Sequence, residues 1–84
     1  MKLGVYSLQK VLYDGEAKSV NCVTASGEIT ILDGHQPIIS ILRPGLMKIV
    51  DNGKKEHYIR VQSGLLEMRA GNEARFLVEE EKEN

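Results

Sequence analysis

Few side chains in this chain have the means for chemistry, and their spacing limits what that chemistry is. His35 follows an Asp33-Gly34 turn and precedes an apolar segment opened by Pro37, in "LDGHQPIIS". A histidine so placed can carry a proton, bind a metal or press against another protein. His57 stands 22 residues away and the single cysteine, Cys22, lies elsewhere. No local metal-ligand spacing results, and one thiol permits neither an internal disulfide nor a four-thiolate zinc site. Cys22 sits in the alternating run "SVNCVTA" and reads as a buried, inert thiol. Ser26-Gly27-Glu28 and Ser63-Gly64 read as turns, since a nucleophile elbow needs a strand–turn–helix setting. "LRPGLMK" has one glycine and no following helix whose N-terminus would hold an anion. The expectation is no catalytic centre, no metal and no cofactor.

The elements that must position these residues are strands. "KLGVYS", "SVNCVTA", "EITIL", "PIISIL", "GLMKIV", "EHYIRV", "GLLEMRA" and "ARFLVE" each alternate or run apolar over a short span. Turn residues separate them: Asp14-Gly15, Ser26-Gly27, Asp33-Gly34, Pro44-Gly45, Asn52-Gly53 and Gly71-Asn72. Pro44-Gly45 predicts a type II turn, and Asn52-Gly53 is the strongest hairpin signal. Turns about eight to twelve residues apart predict an antiparallel sandwich or barrel of roughly eight to ten strands, with no helix of useful length. Residues 1–78 read as one domain, and 79–84 as a solvated acidic tail.

Composition narrows the function classes. The 84 residues carry a formal net charge of -1, and Lys54-Lys55 is the only basic pair. Nucleic acid needs many lysine and arginine contacts on one surface, so it is not an expected partner. The longest uninterrupted runs of hydrophobic residues are three, as in Val11-Leu12-Tyr13 and Phe76-Leu77-Val78, against the ~20 that span a bilayer, and "MKLGVYSLQK" lacks the apolar core of a secretory signal. Membrane association is therefore expected only through another protein.

A binding or scaffolding module remains. The segment from Gly27 to Ile39 would offer a firm loop with Glu28 and His35 as polar groups. Leu12, Tyr13, Ile38, Ile39, Leu42, Leu46, Leu65, Leu66, Phe76 and Leu77 cannot all face inward in alternating strands. Either some form an exposed contact patch, or curled sheet edges bury them.

The segment "SGEITILDGHQPIISILRPGLMKI" resembles the signature region of the epsilon subunit of rotary F-type ATP synthases, the delta subunit in mitochondria. Its elements stand as Gly27-Glu28, Ile31-Leu32, Gly34-His35, Pro37, Ile38-Ile39 and Pro44-Gly45. "YSLQKVLYDGEAKSV" is similar to the family's opening, with Leu12-Tyr13 before a glycine turn, and "VQSGLLEMRAGNEARFLVEE" to its closing strands. The likeness runs from Lys2 to about Val78. It departs at Thr30, where members usually have glycine, and at Asp33, where proline is usual.

The resemblance implies a ten-stranded β-sandwich or flattened barrel at the foot of a rotor. Such a subunit is non-catalytic, links the gamma subunit to the membrane c-ring, and helps couple ion flow to ATP synthesis or hydrolysis. It implies a c-ring interface at Glu28, Gly34, His35 and Pro37, which makes His35 a contact residue. It also implies a gamma-subunit interface at Leu12, Tyr13, Ile39, Leu46 and Phe76. The place implied is the cytoplasmic face of a bacterial membrane, held there peripherally by the complex. Members often continue into a two-helix hairpin of some 40 residues; the sequence stops before it, as either a naturally short form or a trimmed chain would. The competing reading is a free-standing β-sandwich binding module unrelated to a motor.

Overall fold

The structure, a computed structural model, describes residues 1–81. Within them run seven strands: β1 (Lys2–Tyr6), β2 (Val11–Thr24), β3 (Gly27–Leu32), β4 (Ile38–Leu42), β5 (Gly45–Asp51), β6 (Glu56–Arg69) and β7 (Glu73–Glu80). The class is all-β, as expected, and every pairing is antiparallel except that of β1 with β7.

The count of ten is corrected to seven, because β2 and β6 are each 14 residues long and serve two layers. The first half of β2 pairs with β1, and its second half with β3 and β5. The first half of β6 pairs with β5, and its second half with β4 and β7. One layer thus reads β2–β1–β7–β6–β4 and the other β3–β2–β5–β6, with the long strands passing from one to the other. Register shifts mark both crossings, at Ala17/Ser19 in β2 and Val61/Ser63 in β6. Such irregularities add local twist and let a strand bend around a core.

Two expected turns, Asp14-Gly15 and Ser63-Gly64, therefore lie inside strands. A third expectation also changes. Gly45 does not adopt a positive φ, so Pro44-Gly45 is no type II turn. Gly45 opens β5, where a Cβ would sit 2.7 Å from Val23 Cγ2. Its role is close approach at the corner where the chain leaves one layer for the other. The Asn52-Gly53 hairpin forms, with Lys54 taking the left-handed conformation at φ 68°. Lys54 N–H donates to Asp51 O at 3.0 Å and Asp51 N–H to Lys55 O at 2.9 Å. That pattern is a three-residue loop in which a left-handed residue follows a tight turn.

Alternation decides the core. Leu3 and Val5, Val20 and Cys22, Met47 and Ile49, Leu66 and Met68, and Ala74 and Phe76 all point between the layers and are buried. Thr24 is the buried polar residue among those described, and its hydroxyl donates to Gly27 O at 2.9 Å. Burial pushes the Cys22 thiol up to about 11, which leaves it protonated and a poor nucleophile at neutral pH. Of the expected acidic tail, Glu79 and Glu80 belong to β7, and residues 82–84 lie outside the described residues.

Candidate functional site

No group of three or more histidine, cysteine or acidic side chains converges to hold a metal among the described residues. No buried side-chain nitrogen or oxygen among them lacks a partner. The features that remain for function are on the outside, at one loop end and on one outer sheet face.

The loop end gathers the β3–β4 connection, the β6–β7 turn and Met1. Gly34 takes φ 78°, Gly71 89° and Asn72 61°, which turns the chain sharply and aims backbone groups at neighbouring loops. Gly34 N–H donates to Asn72 Oδ1 at 2.7 Å, and Asn72 Nδ2 donates to Asp33 Oδ1 at 2.8 Å. The Met1 amino group donates to Asp33 and, at 2.9 Å, to Ala17 O. Hydrogen bonds from that amino group and from Asn72 hold the Asp33 carboxyl below the usual carboxylate range. Asp33 thus ties the β3–β4 connection to the β6–β7 turn and to Met1. His35 is half-buried at this end, its N–H donating to Leu32 O at 3.0 Å and its Nδ1 lying 2.7 Å from Gln36 O. Pro37 is exposed beside it and introduces β4.

Glu28 does not join this group. It stands in β3 six residues before Gly34, opposite Val23. At ~3.3 Å per residue that is roughly 20 Å away, toward the other end of the strand. The structure therefore brings together Gly34, His35 and Pro37 and leaves Glu28 apart.

The five residues expected to share a gamma-facing strip do not share a face. Phe76 has no exposed surface and fills the core, because β7 alternates and Phe76 is on its inward side. It has no surface to offer a partner. Leu12 and Tyr13 are partly buried against the core. Tyr13 is engaged locally, its hydroxyl donating to Glu16 O at 2.6 Å and its ring meeting His57 edge-on at 5.2 Å. Burial, with the Asp51 and Glu16 carboxylates nearby, pushes the Tyr13 hydroxyl up. Leu46 is exposed on β5 and Ile39 on β4, on the outer faces of different layers.

What sequence reasoning missed is an alignment made by register. Ile41 lies opposite Leu65, Leu65 opposite Leu77, Leu77 beside Tyr6, and Tyr6 opposite Val11. These five side chains form one row across five strands, on the outer face of one layer. Four are at least 41 % exposed, and Tyr6 folds back over Gly4. Alternation showed which residues of each strand share a side; only the pairings show that they line up.

His57 is structural. Its Nε2 lies 2.9 Å from Asp51 Oδ2, while Asp51 Oδ1 accepts from Gly53 and Lys55 N–H, each at 2.9 Å. The His57 hydrogen bond first, then that from Lys55, holds the Asp51 carboxyl below its ordinary range. Because the folded-state pKa is the lower one, this stabilisation is complete above the ordinary value near 4. It disappears as the pH falls through the depressed value. Asp51→Ala is thus expected to lower the melting temperature above about pH 5, with the deficit fading as the pH falls through the depressed Asp51 value. Thermal melts of both proteins across that range measure it, and a pH-independent deficit would mean the carboxylate charge plays no part.

A model of the family described as "ATP synthase, Delta/Epsilon chain, beta-sandwich domain" matches residues 1–82. An ATP synthase epsilon chain of Bordetella avium is 42% identical over 72 residues, which are 86% of this chain and 51% of that protein. One of Bordetella petrii is 41% identical over 71 residues, covering 84% and 50%. The chain therefore spans about half the length of the curated relatives it matches. Among solved structures, a chain of the Euglena gracilis mitochondrial ATP synthase (OSCP/F1/c-ring) superposes with TM-score 0.86 at 18% identity, over 93% of this chain and 49% of that one. A chain of the Tetrahymena thermophila mitochondrial ATP synthase central stalk and c-ring superposes with TM-score 0.78 at 17% identity, over 93% and 62%. At such identity these two speak for the fold.

Proposed function

The chain belongs to the ATP synthase delta/epsilon family, through its beta-sandwich domain, and from that premise we propose that it is a non-catalytic subunit of the central stalk of an F-type ATP synthase. It links the gamma subunit to the membrane c-ring and passes rotation between them, so that ion flow is coupled to ATP synthesis or hydrolysis. The strands β1 to β7, through Glu80, supply the coupling domain. The match over residues 1–82 carries this reading, and the geometry agrees with it. A closed two-layer body with a close-packed core resists deformation, and a stiff body loses little rotation to elastic twist.

The c-ring side of the proposal rests on the loop end. Gly34, His35 and Pro37 stand there on a connection cross-tied to Asn72, able to meet the polar loops of a ring without folding away. Contact there holds the chain peripherally at the membrane, at the cytoplasmic face in a bacterium. No helix among the described residues is long and apolar enough to cross a membrane.

Replacing His35 by alanine tests this side. The residue lies outside the core, so the melting temperature should stay within a few degrees, as substitutions away from buried features usually change stability by about 0.5 kcal/mol or less. Binding to detergent-solubilised c-ring together with gamma should weaken several-fold. A large fall in melting temperature with ring binding preserved would make His35 a structural residue and remove it from the interface.

A further inference from the structure

We propose that Asn52 is a site of spontaneous deamidation, and that the Asp51 carboxylate guards it by holding the Gly53 N–H. The inference stands apart from the stalk role, since it concerns the chain's own bonds at the turn between β5 and β6.

The chemistry needs water and the two residues of that turn. A base removes the Gly53 amide proton, and the nitrogen attacks Asn52 Cγ. The bond from Cγ to the side-chain nitrogen breaks, and that nitrogen leaves as ammonia with a proton from water. Water then opens the five-membered imide at either carbonyl. One opening gives aspartate, and the other gives isoaspartate, in which the side-chain carbon has joined the backbone. Nothing is oxidised or reduced. Glycine after the asparagine favours closure, because no Cβ obstructs the approach.

The fold singles out this asparagine. Gly53 follows Asn52, whereas Cys22 follows Asn21 and Glu73 follows Asn72. Asn21 lies within β2, its Nδ2 donating to Thr30 Oγ1 at 2.9 Å. Asn72 uses both side-chain atoms, accepting from Gly34 N–H and donating to Asp33. Asn52 and Gly53 are exposed at their turn.

The guard is the hydrogen bond from Gly53 N–H to Asp51 Oδ1 at 2.9 Å. Closure must remove that proton first, and a carboxylate acceptor both holds the proton and repels an approaching hydroxide. The acceptor is itself fixed. Its Oδ1 also accepts from Lys55 N–H at 2.9 Å, and its Oδ2 lies 2.9 Å from His57 Nε2. A hydrogen bond to a charged group reduces the open population by about tenfold to a hundredfold, and closure should slow in proportion.

Modification would change the loop end. Asn52 borders a hollow also lined by Glu16, Lys18, Asp33 and Asn72. An aspartate there adds a carboxylate beside those of Glu16 and Asp33. Isoaspartate lengthens the backbone between Asp51 and Gly53, which carries Gly53 and Lys55 off their shared acceptor. The hairpin thus loses its lock once it has been modified.

The test incubates the full chain at mildly alkaline pH beside an unstructured peptide of residues 50–56, and follows the modification by intact mass and peptide mapping. Asp51→Ala, with a peptide carrying the same change, removes the guard. Val78→Ala weakens the core in β7 without touching the turn. The parent should be modified at least about tenfold more slowly than its peptide, and Asp51→Ala within about threefold of its own. Val78→Ala should keep the parent's rate, and Asn52 should be modified before Asn21 or Asn72. Amide exchange gives a second reading, because base-catalysed exchange removes the same Gly53 proton. It should be slow in the parent and fast in Asp51→Ala. If Asp51→Ala fails to fold, His57→Phe takes its place, keeping the carboxylate without its anchor, and a several-fold acceleration is expected. A parent as fast as its peptide, or a guard variant as slow as the parent, would overturn the proposal. Equal acceleration in Val78→Ala would put global unfolding in place of the guard and overturn it too, as would modification first at Asn21 or Asn72.

Discussion

Replacing Phe76 by alanine is expected to lower the unfolding free energy by about 3–5 kcal/mol. The ring has no exposed surface and is among the largest fully buried side chains. Truncation removes its transfer free energy and leaves a cavity that strands on both sides of β7 cannot collapse to fill. A chain of 84 residues has a total stability of roughly 4–13 kcal/mol, so the variant should lose a large part of it and melt far earlier. Urea denaturation followed by far-ultraviolet circular dichroism measures the loss. An unchanged midpoint, with gamma binding lost, would restore Phe76 to the surface role that the resemblance implied.

The second large effect is expected at Gly64. A Cβ there would land on the carbonyl oxygen of Leu77, and within 3.1 Å of both Val78 Cα and Leu42 Cδ1. Two of those neighbours are backbone of β7, paired in register with β6, so the obstruction cannot rotate away. Gly64→Ala should therefore cost about 2–3 kcal/mol, the scale of overpacking in a close-packed interior. Gly15→Ala is the matched control. It also lies inside a long strand, but its Cβ would meet nothing nearer than 3.9 Å, and a change within about 0.5 kcal/mol is expected. Equal melting temperatures for the two variants would show that the strand crossing tolerates a side chain and that the described approach is not needed.

These two glycines also show why part of the fold was legible in the sequence and part was not. Alternation in "SVNCVTA", "EITIL" and "ARFLVE" reports which side of a strand is buried, because burial has the period of the pleat. Val20, Cys22, Ile31 and Phe76 are inward as that pattern requires. Gly15 and Gly64 read as turns because a glycine in an apolar-alternating stretch is the same local signal whether the chain reverses or bends. Length decides between them, and strands long enough to serve two layers are set by tertiary packing. The same holds at Gly45, where the requirement is the approach of Val23 across the corner.

The candidate surfaces divide in the same way. Gly34, His35 and Pro37 come together because they are neighbours in the chain, and Glu28 separates from them because six strand residues extend about 20 Å. The apolar row was hidden because its members come from five strands, and their alignment depends on register, including the parallel pairing of β1 with β7 that brings Tyr6 to Leu77. The surplus of apolar residues was readable; where it would gather was not.

The most direct test of the stalk role is to mix the full chain with purified gamma subunit and detergent-solubilised c-ring and weigh the product by light scattering after size exclusion. One chain should travel with one gamma and one ring, and the ternary complex should be lost when the chain is omitted. A chain that elutes alone, while gamma and ring behave as they do without it, would contradict the account.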